Sequence, residues 1–591
     1  MGLKLKTLTV AAGLFILLTL IVAACGGDEP QPTTSPTQTP SQPARTAAIA
    51  PTQSPAVAST PTPVPSPTPT SVPTPTPRLA KYGGTLTMRV STTSLLDTSD
   101  SNNTSGAAAV IWLQNALNNL IHLNSKTPRI VEPDLAERWE YSDGGRVLTL
   151  ALRRGITWTD GKPFTAADAK YSLDRAAFGT DPQLSFNQSR LSALTRVVAV
   201  DEATLRLDLK QVSASFLGGL AAPYILMYPA HIPFPEKAAD WAQNPAGTGP
   251  YKVKEWKRGI SREMERNPAY FKKNAAGQQL PFADRIQIFF IQDQLATLAA
   301  FRSGNINCAC GYGTDLIVDQ INEVKRDVPN VKVAFASPNV ANLQFSNKAP
   351  SNDARVRKAL SMIIDRVQLN KLYRDNSGFY PPGYLLGPEQ GGQWGLPKEE
   401  ILKVPGFREP KSADMQEARA LFAAAGVDLA GTTFDLLAVT PTYADLGEAL
   451  ANVLINAGVK IRLQLQASAA LNQAVSQNNF QLYLSPSGAV EDDPNGLLLL
   501  MIAPGAARNY SKWEDPDVTR LIAAQETTVD PAQRKGLLEQ LQRAMYDRLW
   551  VSPLISVSVV WAAAAHLEDI ELERPFLASS FHRMERVWLN R

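Results

Sequence analysis

Residues 146–169, RVLTLALRRGITWTDGKPFTAADA, contain the signals of a strand, a turn and the start of a helix. The first half alternates apolar and polar residues and follows a DGG turn, which predicts the second strand of a hairpin. The DG pair in the middle predicts another turn. Thr165 is then placed to cap a helix, with Asp168 at its third position. A strand followed directly by a capped helix favours an α/β fold.

The same two patterns alternate along most of the chain. Strand-like alternation occurs at residues 83–91, 197–209, 251–256 and 285–292. Helical spacing of apolar residues occurs at residues 107–120 and 356–366. The sequence GTGP at 247–250 predicts a rigid turn, in which glycine permits unusual φ and proline stops a helix before the next strand. Strands and helices therefore interleave to the C-terminus.

The N-terminus has the pattern of a lipoprotein signal peptide. Two lysines precede residues 8–24, an uncharged apolar run of roughly 26 Å as a helix, slightly short of a ~30 Å hydrocarbon core. The run ends in VAAC, which resembles a lipobox. We therefore expect residues 1–24 to be a signal peptide and Cys25 to be the lipid attachment site. The alternative is a plain secreted protein with a chance cysteine at the cleavage site.

A proline-rich segment follows the predicted anchor. Residues 28–80 contain no aromatic residue and 15 of the chain's 44 prolines. Such a composition cannot bury enough apolar surface to offset the entropy of ordering. Residues 25–80 are therefore predicted to be a lipidated cysteine and a disordered Pro/Thr/Ser-rich linker, either a spacer or a tail with no length requirement.

The composition and length of the chain limit its possible functions and its number of domains. The formal net charge of the 591 residues is +3, with 58 basic and 55 acidic residues, which argues against nucleic acid as a partner. No later apolar run reaches the ~18 residues that a spanning helix needs. About 510 residues remain after the linker, too many for one simple core, so two or more lobes are expected.

Seven segments occur in the order and spacing of a known family. They are PDLAERW (133–139) with LRRGI (152–156), DGKPFTAAD (160–168), GTGPY (247–251), RNPAY (266–270), FRSGNIN (301–307), DARVRKAL (353–360) and IDR (364–366). By these segments the chain resembles family 5 of the extracytoplasmic solute-binding proteins of ABC importers, which includes oligopeptide-, dipeptide- and nickel-binding proteins. The resemblance extends over essentially the whole folded part.

The resemblance implies a periplasmic-binding-protein-like (type II) α/β fold. Two lobes with mixed sheets are joined by a hinge and enclose the ligand when they close. Lobe one is expected at residues 81–340, with an inserted subdomain at about 105–190; lobe two at 341–544; and a return to lobe one at 545–591. The implied function is a membrane-anchored solute-binding component of an ABC importer, acting as a monomer with permease subunits. The alternative is a sensor or adhesion lipoprotein with the same fold.

The resemblance also points to a ligand-binding cleft. The candidate lining residues are Thr92, Thr93, Tyr312, Trp394, Ser487, Gly488 and Val490. In peptide-binding relatives a Trp and an Asp precede an Asp-Tyr-x-x-Pro stretch, and the Asp holds the peptide ammonium group. By that register Ser487 replaces the Trp and Val490 replaces the Asp, unless a gap brings Glu491 or Asp492 into place. The ligand class therefore stays open between peptides, sugars, metal chelates and other small molecules.

The sequence gives no sign of catalysis or of a cofactor. It contains no GxSxG, HExxH or P-loop motif, and its four histidines lack metal-ligand spacing. The adjacent acids Asp492 and Asp493 are expected to be solvated in a turn. Cys308 and Cys310 are the remaining cysteines, expected to be structural or a strained, labile disulfide. We expect no enzyme activity, no catalytic residue, no metal and no cofactor.

Overall fold

The computed structural model describes residues 82–90, 100–103, 107–124, 130–179, 185–233, 241, 245–311, 316, 320–373, 380–388, 392–440, 443–488, 493–572 and 583–590. All of them belong to one compact unit, Pro77–Arg591. The predicted signal peptide, the lipid attachment site at Cys25 and the predicted linker lie outside the described residues.

The described residues form eighteen strands. They are β1 Thr85–Val90, β2 Ile121–Leu123, β3 Val131–Pro133, β4 Ala136–Ser142, β5 Val147–Leu152, β6 Leu194–Asp201, β7 Thr204–Leu209, β8 Tyr251–Lys257, β9 Ser261–Arg266, β10 Arg285–Phe290, β11 Cys308–Ala309, β12 Lys332–Phe345, β13 Thr433–Thr440, β14 Lys460–Ala467, β15 Leu482–Gly488, β16 Val551–Ala563, β17 Leu567–Glu568 and β18 Trp588–Leu589.

The described α-helices lie between these strands. They are α1 Ala107–Ala116, α2 Ala166–Phe178, α3 Ser185–Arg190, α4 Phe216–Leu220, α5 Gln294–Arg302, α6 Ile321–Asp327, α7 Ala354–Ile363, α8 Arg366–Leu372, α9 Lys398–Ile401, α10 Ser412–Ala424, α11 Ala444–Asn456, α12 Ser468–Ser476, α13 Asn495–Leu497, α14 Pro516–Thr527 and α15 Pro531–Arg548. Short 3₁₀ helices occupy Ser101–Asn103 and Asp143–Gly145, and a π-helix occupies Leu498–Ile502.

The principal sheet has ten strands in the order β14-β13-β15-β12-β16-β11-β1-β10-β9-β8. Strand β1 pairs with β10 in parallel and β13 pairs with β14 in parallel, whereas β12 is antiparallel to β15 and β16, so the sheet is mixed. Strands β12 and β16 are 14 and 13 residues long and join the two halves of the sheet. A separate four-stranded sheet has the order β4-β5-β7-β6.

Three large hydrophobic cores lie on the two halves of the principal sheet. The first core packs β1, α1, α2, β5 and β7 around residues such as Trp112 and Leu150. The second core packs α7, α11, β13 and β15 around Leu360 and Leu436. The third core packs α14 and α15 against the π-helix around Leu541. The predicted α/β class with mixed sheets is confirmed; the residue boundaries of the lobes stay predictions.

The local signals around the opening sequence form the elements they predict. Asp168 Oδ2 accepts from the Thr165 backbone N–H at 2.9 Å, within a complete capping box at the start of α2. Strand β5 pairs with β4 across the DGG turn. However, β5 ends at Leu152 rather than continuing to residue 158, because Gly155 adopts a φ of +76° that a strand cannot contain.

The turn at 247–250 needs glycine for a different reason from the one expected. Neither Gly247 nor Gly249 has a positive φ. A Cβ on Gly247 would lie 1.9 Å from the Ala116 carbonyl oxygen, and one on Gly249 would lie 2.5 Å from the Ala116 carbonyl carbon. Gly249 N–H donates to Ala116 O at 2.9 Å. The turn therefore packs directly on the end of α1, which stops at Ala116 instead of reaching residue 120.

Candidate functional site

The two halves of the principal sheet meet where β12 and β16 change register. Their antiparallel ladder is regular from Lys332 to Ala336, shifts, and resumes at Asn339. The first segment adjoins β11 and the first core, whereas residues 341–345 pack into the second core. A bulge bends its strand locally and increases twist. This crossing therefore lies between the part of the sheet that adjoins the first core and the part that adjoins the second.

A row of neutral polar side chains follows the crossing on β12 and β15. Ala341, Leu343 and Phe345 point into the second core, so by strand alternation Asn342 and Gln344 face the other side of the sheet. Asn342 Nδ2 donates to Ser487 Oγ at 2.8 Å. Gln344 Nε2 donates to Ser485 Oγ at 2.9 Å. All four polar side chains are buried and uncharged, which gives this face hydrogen-bonding capacity without a fixed charge.

One edge of β15 lacks a described strand partner over part of its length, although Leu484, Ser485 and Ser487 are buried; we call this the open edge of β15. Strand β12 pairs with the whole length of β15, from Phe345–Leu482 to Asn339–Gly488. On the other edge, β13 pairs with β15 only at Leu436–Leu482 and Leu437–Tyr483. Residues 484–488 therefore have no ladder partner on that edge among the strands that the structure describes. Backbone groups on such an edge can pair with an added extended chain.

A small depression lies beside Gln344. Its lining includes Met501, Arg508, Trp513 and Trp550, and it has room for no more than about one water molecule. The two indole rings stack with centroids 6.1 Å apart and an interplanar angle of 4°. Arg357 lies 4.5 Å from the centroid of the Trp513 ring, so the aromatic side chains here pack on groups of the protein itself.

The predicted site residues divide into three groups. Ser487 and Gly488 lie at the open end of β15, next to the crossing. Trp394 lies in the third core, 8% exposed, with the Arg534 guanidinium 5.0 Å from its ring centroid. Thr92, Thr93, Tyr312 and Val490 lie outside the described residues. Among the predicted site residues that the structure describes, Ser487 and Gly488 are the two that lie beside the crossing.

Two glycines beside Trp394 pack closely on the neighbouring backbone. A Cβ on Gly392 would lie 2.1 Å from Leu386 O, and one on Gly395 would lie 2.6 Å from Leu385 O. Gln542 Nε2 donates to the Trp394 carbonyl oxygen at 2.8 Å. The loop that carries Trp394 is therefore held against α15.

The expectation that Asp493 is solvated is wrong. Arg534 donates to both of its carboxylate oxygens, at 2.7 and 3.0 Å, and the Asp493 side chain is 17% exposed. Asp493 Oδ1 also accepts from the Asn495 backbone N–H at 2.9 Å. A bidentate, partly buried pair of this kind fixes a carboxylate firmly. Asp493 is therefore committed to the protein and is not available to a ligand cation.

A second partly buried carboxylate, Glu526, was not predicted from the sequence. It accepts hydrogen bonds from the hydroxyls of Ser213 and Ser215 and from the Asn495 side-chain amide. Burial raises the pKa of the Glu526 carboxyl above its ordinary value, and the serine hydrogen bonds act in the opposite direction. Because Ser213 and Glu526 are 313 positions apart, no local pattern could have paired them.

The two remaining cysteines form a disulfide in the structure. Cys308 and Cys310 are joined with their Cα atoms 5.2 Å apart, and both are fully buried. Cys308 lies in β11, paired with Ala563 of β16 and Met88 of β1. The bond is thus enclosed at the start of the crossing strands, in a structural position.

The described residues contain neither a candidate membrane-spanning helix nor a candidate metal site. No helix in the described ranges combines the length and apolar character needed to cross a membrane. No group of three or more His, Cys, Asp or Glu side chains in those ranges has the geometry of a metal site.

A match to a protein-family model identifies the family to which this chain belongs. Residues 131–509 match the model of the bacterial extracellular solute-binding proteins, family 5 middle domain. The chain belongs to this family. The periplasmic oligopeptide-binding protein OppA of Salmonella typhimurium is 26% identical over 437 residues, which cover 70% of this chain and 77% of OppA. The chain is thus a family 5 solute-binding component of an ABC importer.

Solved structures support the fold of this family 5 protein. DppA from Helicobacter pylori, in complex with the peptide STSA, aligns with a TM-score of 0.71 at 18% identity, over 86% of this chain and 99% of DppA. AgaA from A. tumefaciens R10, in complex with agropinic acid, aligns with a TM-score of 0.70 at 22% identity, over 86% of this chain and 99% of AgaA. The relatives are binding proteins of transport systems, and their ligands differ within one fold.

Proposed function

We propose that this family 5 protein captures an extended peptide at the open edge of β15 and delivers it to an ABC permease without chemical change. The observation that carries the proposal is the unpaired edge at residues 484–488, beside the crossing of β12 and β16. A peptide strand added there gains main-chain hydrogen bonds that do not depend on its side chains. The ligands of OppA and DppA, an oligopeptide and the peptide STSA, favour the same class.

The uncharged side chains on β12 and β15 limit how the peptide can be held. Asn342, Gln344, Ser485 and Ser487 offer no charge to a terminal ammonium group, and Asp493 is taken by Arg534. Main-chain pairing is therefore proposed to supply most of the affinity.

A thermal-shift experiment with a matched ligand pair tests the capture mode. The probe is the tetrapeptide Ser-Thr-Ser-Ala, and its control carries N-methyl groups on alternate backbone amides. A solute at ~100 Kd stabilises the bound state by about 2.7 kcal/mol. We expect the parent peptide to raise the melting temperature and the N-methylated peptide to bind at least about tenfold more weakly, a difference of about 1.4 kcal/mol.

Two results of that experiment would contradict the proposal. Equal binding of the two peptides would exclude strand addition at β15. A shift by an oligosaccharide or a nickel chelate, with none by a panel of di- to pentapeptides, would replace the peptide as the ligand class.

We further propose that the mature protein is a monomer held on the outer face of the membrane by lipid on Cys25, with residues 26–80 as the spacer. The proposal is supported by the sequence VAAC after an uncharged apolar run. We expect Cys25→Ala to release the protein into the medium or to leave an uncleaved precursor, measured by fractionation and immunoblot beside the parent chain. A cleaved Cys25→Ala protein that stays on the membrane would overturn the anchor.

A further inference from the structure

A contact far from the crossing strands joins the two halves of the molecule. Residues 213–215 immediately precede α4, whose Phe216 and Leu220 pack in the first core. Glu526 lies in the last turn of α14, whose Leu521 and Ile522 pack in the third core. The sheet connection between these halves is made by β12 and β16. The contact at Glu526 is therefore a noncovalent connection between the halves, beside the packing of α3 on α13 and on the π-helix.

The geometry of this contact is specific to Glu526. Ser215 Oγ lies 2.9 Å from each Glu526 carboxylate oxygen, and Ser213 Oγ donates to Oε1. The Ala214 backbone N–H donates to the Glu526 carbonyl oxygen at 2.7 Å. Asn495 Nδ2 bridges the two sides, donating to Ser215 Oγ at 2.8 Å and to the Glu526 carboxylate. We call these five residues the Glu526 contact.

The chemistry of the Glu526 contact suits a reversible closure. Its partners across the cleft are hydroxyls and a backbone amide, all of which water can satisfy after separation. No ion pair to Glu526 is found among the described residues, and the nearby Arg534 is paired with Asp493 on the same half. Separation therefore leaves no buried counter-ion unpaired, which would otherwise make opening costly.

We propose that the Glu526 contact is a closure latch, which holds the lobes together before any solute is bound and thereby tunes solute affinity. Glu526 acts as a positioning residue in this role, because it sets the population of the closed form without contacting the solute. The apparent affinity for any solute that binds the closed form rises in proportion to that population. The latch is independent of the ligand class proposed above.

Hydrogen exchange of the solute-free full chain tests the latch. The Ala214 amide is the reporter because its hydrogen bond crosses the cleft. We expect Glu526→Ala, and separately Ser213→Ala with Ser215→Ala, to raise its exchange rate at least about tenfold. Combining the two changes should add little to either alone, since both remove the same contact. Glu526→Gln should stay within about threefold of the parent, because serine hydroxyls can reverse direction and donate or accept.

A control on the same helix separates the latch from general charge effects. Asp517 in α14 is 65% exposed, and Asp517→Asn should leave Ala214 exchange unchanged. Unchanged Ala214 exchange in Glu526→Ala would overturn the latch. So would an equal rise of exchange in the buried strands β5 and β7, because the contact would then serve folding of the first core rather than closure. Neither result depends on which solute the protein carries.

Discussion

Replacing Asp134 should remove a large share of the stability of the first core. Asp134 is fully buried, and its carboxylate accepts from Arg583 Nη1 and Lys272 Nζ, each at 2.9 Å. It also accepts from the Asn118 side chain at 2.8 Å and the Asn119 backbone N–H at 3.0 Å. Burial alone would raise the pKa of Asp134, but the two cations outweigh it and hold the pKa well below its usual range.

The expected magnitude follows from the two cations that Asp134→Asn leaves behind. The Arg583 side chain is 6% exposed and that of Lys272 is 15% exposed, so water cannot replace the lost carboxylate. Removing one partner of a buried pair costs about 3–5 kcal/mol of the free energy of unfolding. Typical proteins have only about 5–15 kcal/mol in total.

Urea unfolding followed by tryptophan fluorescence measures this change, since several buried tryptophans lie in the first core. The control is Glu265→Gln, because Glu265 pairs with Lys252 at 3.4 Å on the surface and should cost less than about 1 kcal/mol. Adding Arg583→Met to Asp134→Asn should recover part of the loss. A loss in Asp134→Asn no larger than that of the control, or strict additivity with Arg583→Met, would refute the reasoning.

Three further predictions concern other buried groups. A hydrogen bond with His122 lowers the pKa of Glu132 to about 2, so its stabilisation is present above pH ~4.5 and is lost as pH falls toward 2; Glu132→Gln should flatten acid unfolding in that window. Arg366 donates to four backbone carbonyls, and Arg366→Lys should cost about 3 kcal/mol in thermal unfolding by leaving acceptors unpaired. Gly247→Ala should cost at least about 2 kcal/mol through its clash with the end of α1, whereas Gly218→Ala, with open space around its Cβ, should not destabilise.

The sequence predicted those features whose signals are local. The capping box of Thr165 and Asp168 spans three residues, and the β4–β5 hairpin needs only a turn and an alternating strand. The long-range side-chain pairs are of another kind. Asp134 meets Arg583 across 449 positions, and Ser213 meets Glu526 across 313. Nothing near either residue in the chain indicates its partner, because the contact exists only after the strands between them have folded.

The family motifs prove informative about architecture for a physical reason. Asp134 of PDLAERW binds two buried cations, Gly247 of GTGPY packs on α1, and Arg366 of IDR donates to carbonyls inside the second half. Each of these roles needs one particular side chain, or the absence of one. Such positions fix the fold, and none of them lies on the open edge of β15. The motifs therefore identify the two-lobed fold without marking the ligand.

The proposed capture at β15 explains why the side chains near the edge say little about cargo. A strand-added peptide is held through backbone N–H and C=O groups, which every residue except proline presents alike. In the register that the family resemblance implies, Ser487 and Val490 stand where peptide-binding relatives have a Trp and an Asp, and neither change would remove a main-chain partner from residues 484–488. Loss of the carboxylate at position 490 should weaken recognition of the peptide's ammonium end and leave strand pairing in place. N-acetylation of Ser-Thr-Ser-Ala should then change its affinity by less than about tenfold, or about 1.4 kcal/mol, and a larger loss would place a carboxylate at the peptide N-terminus after all.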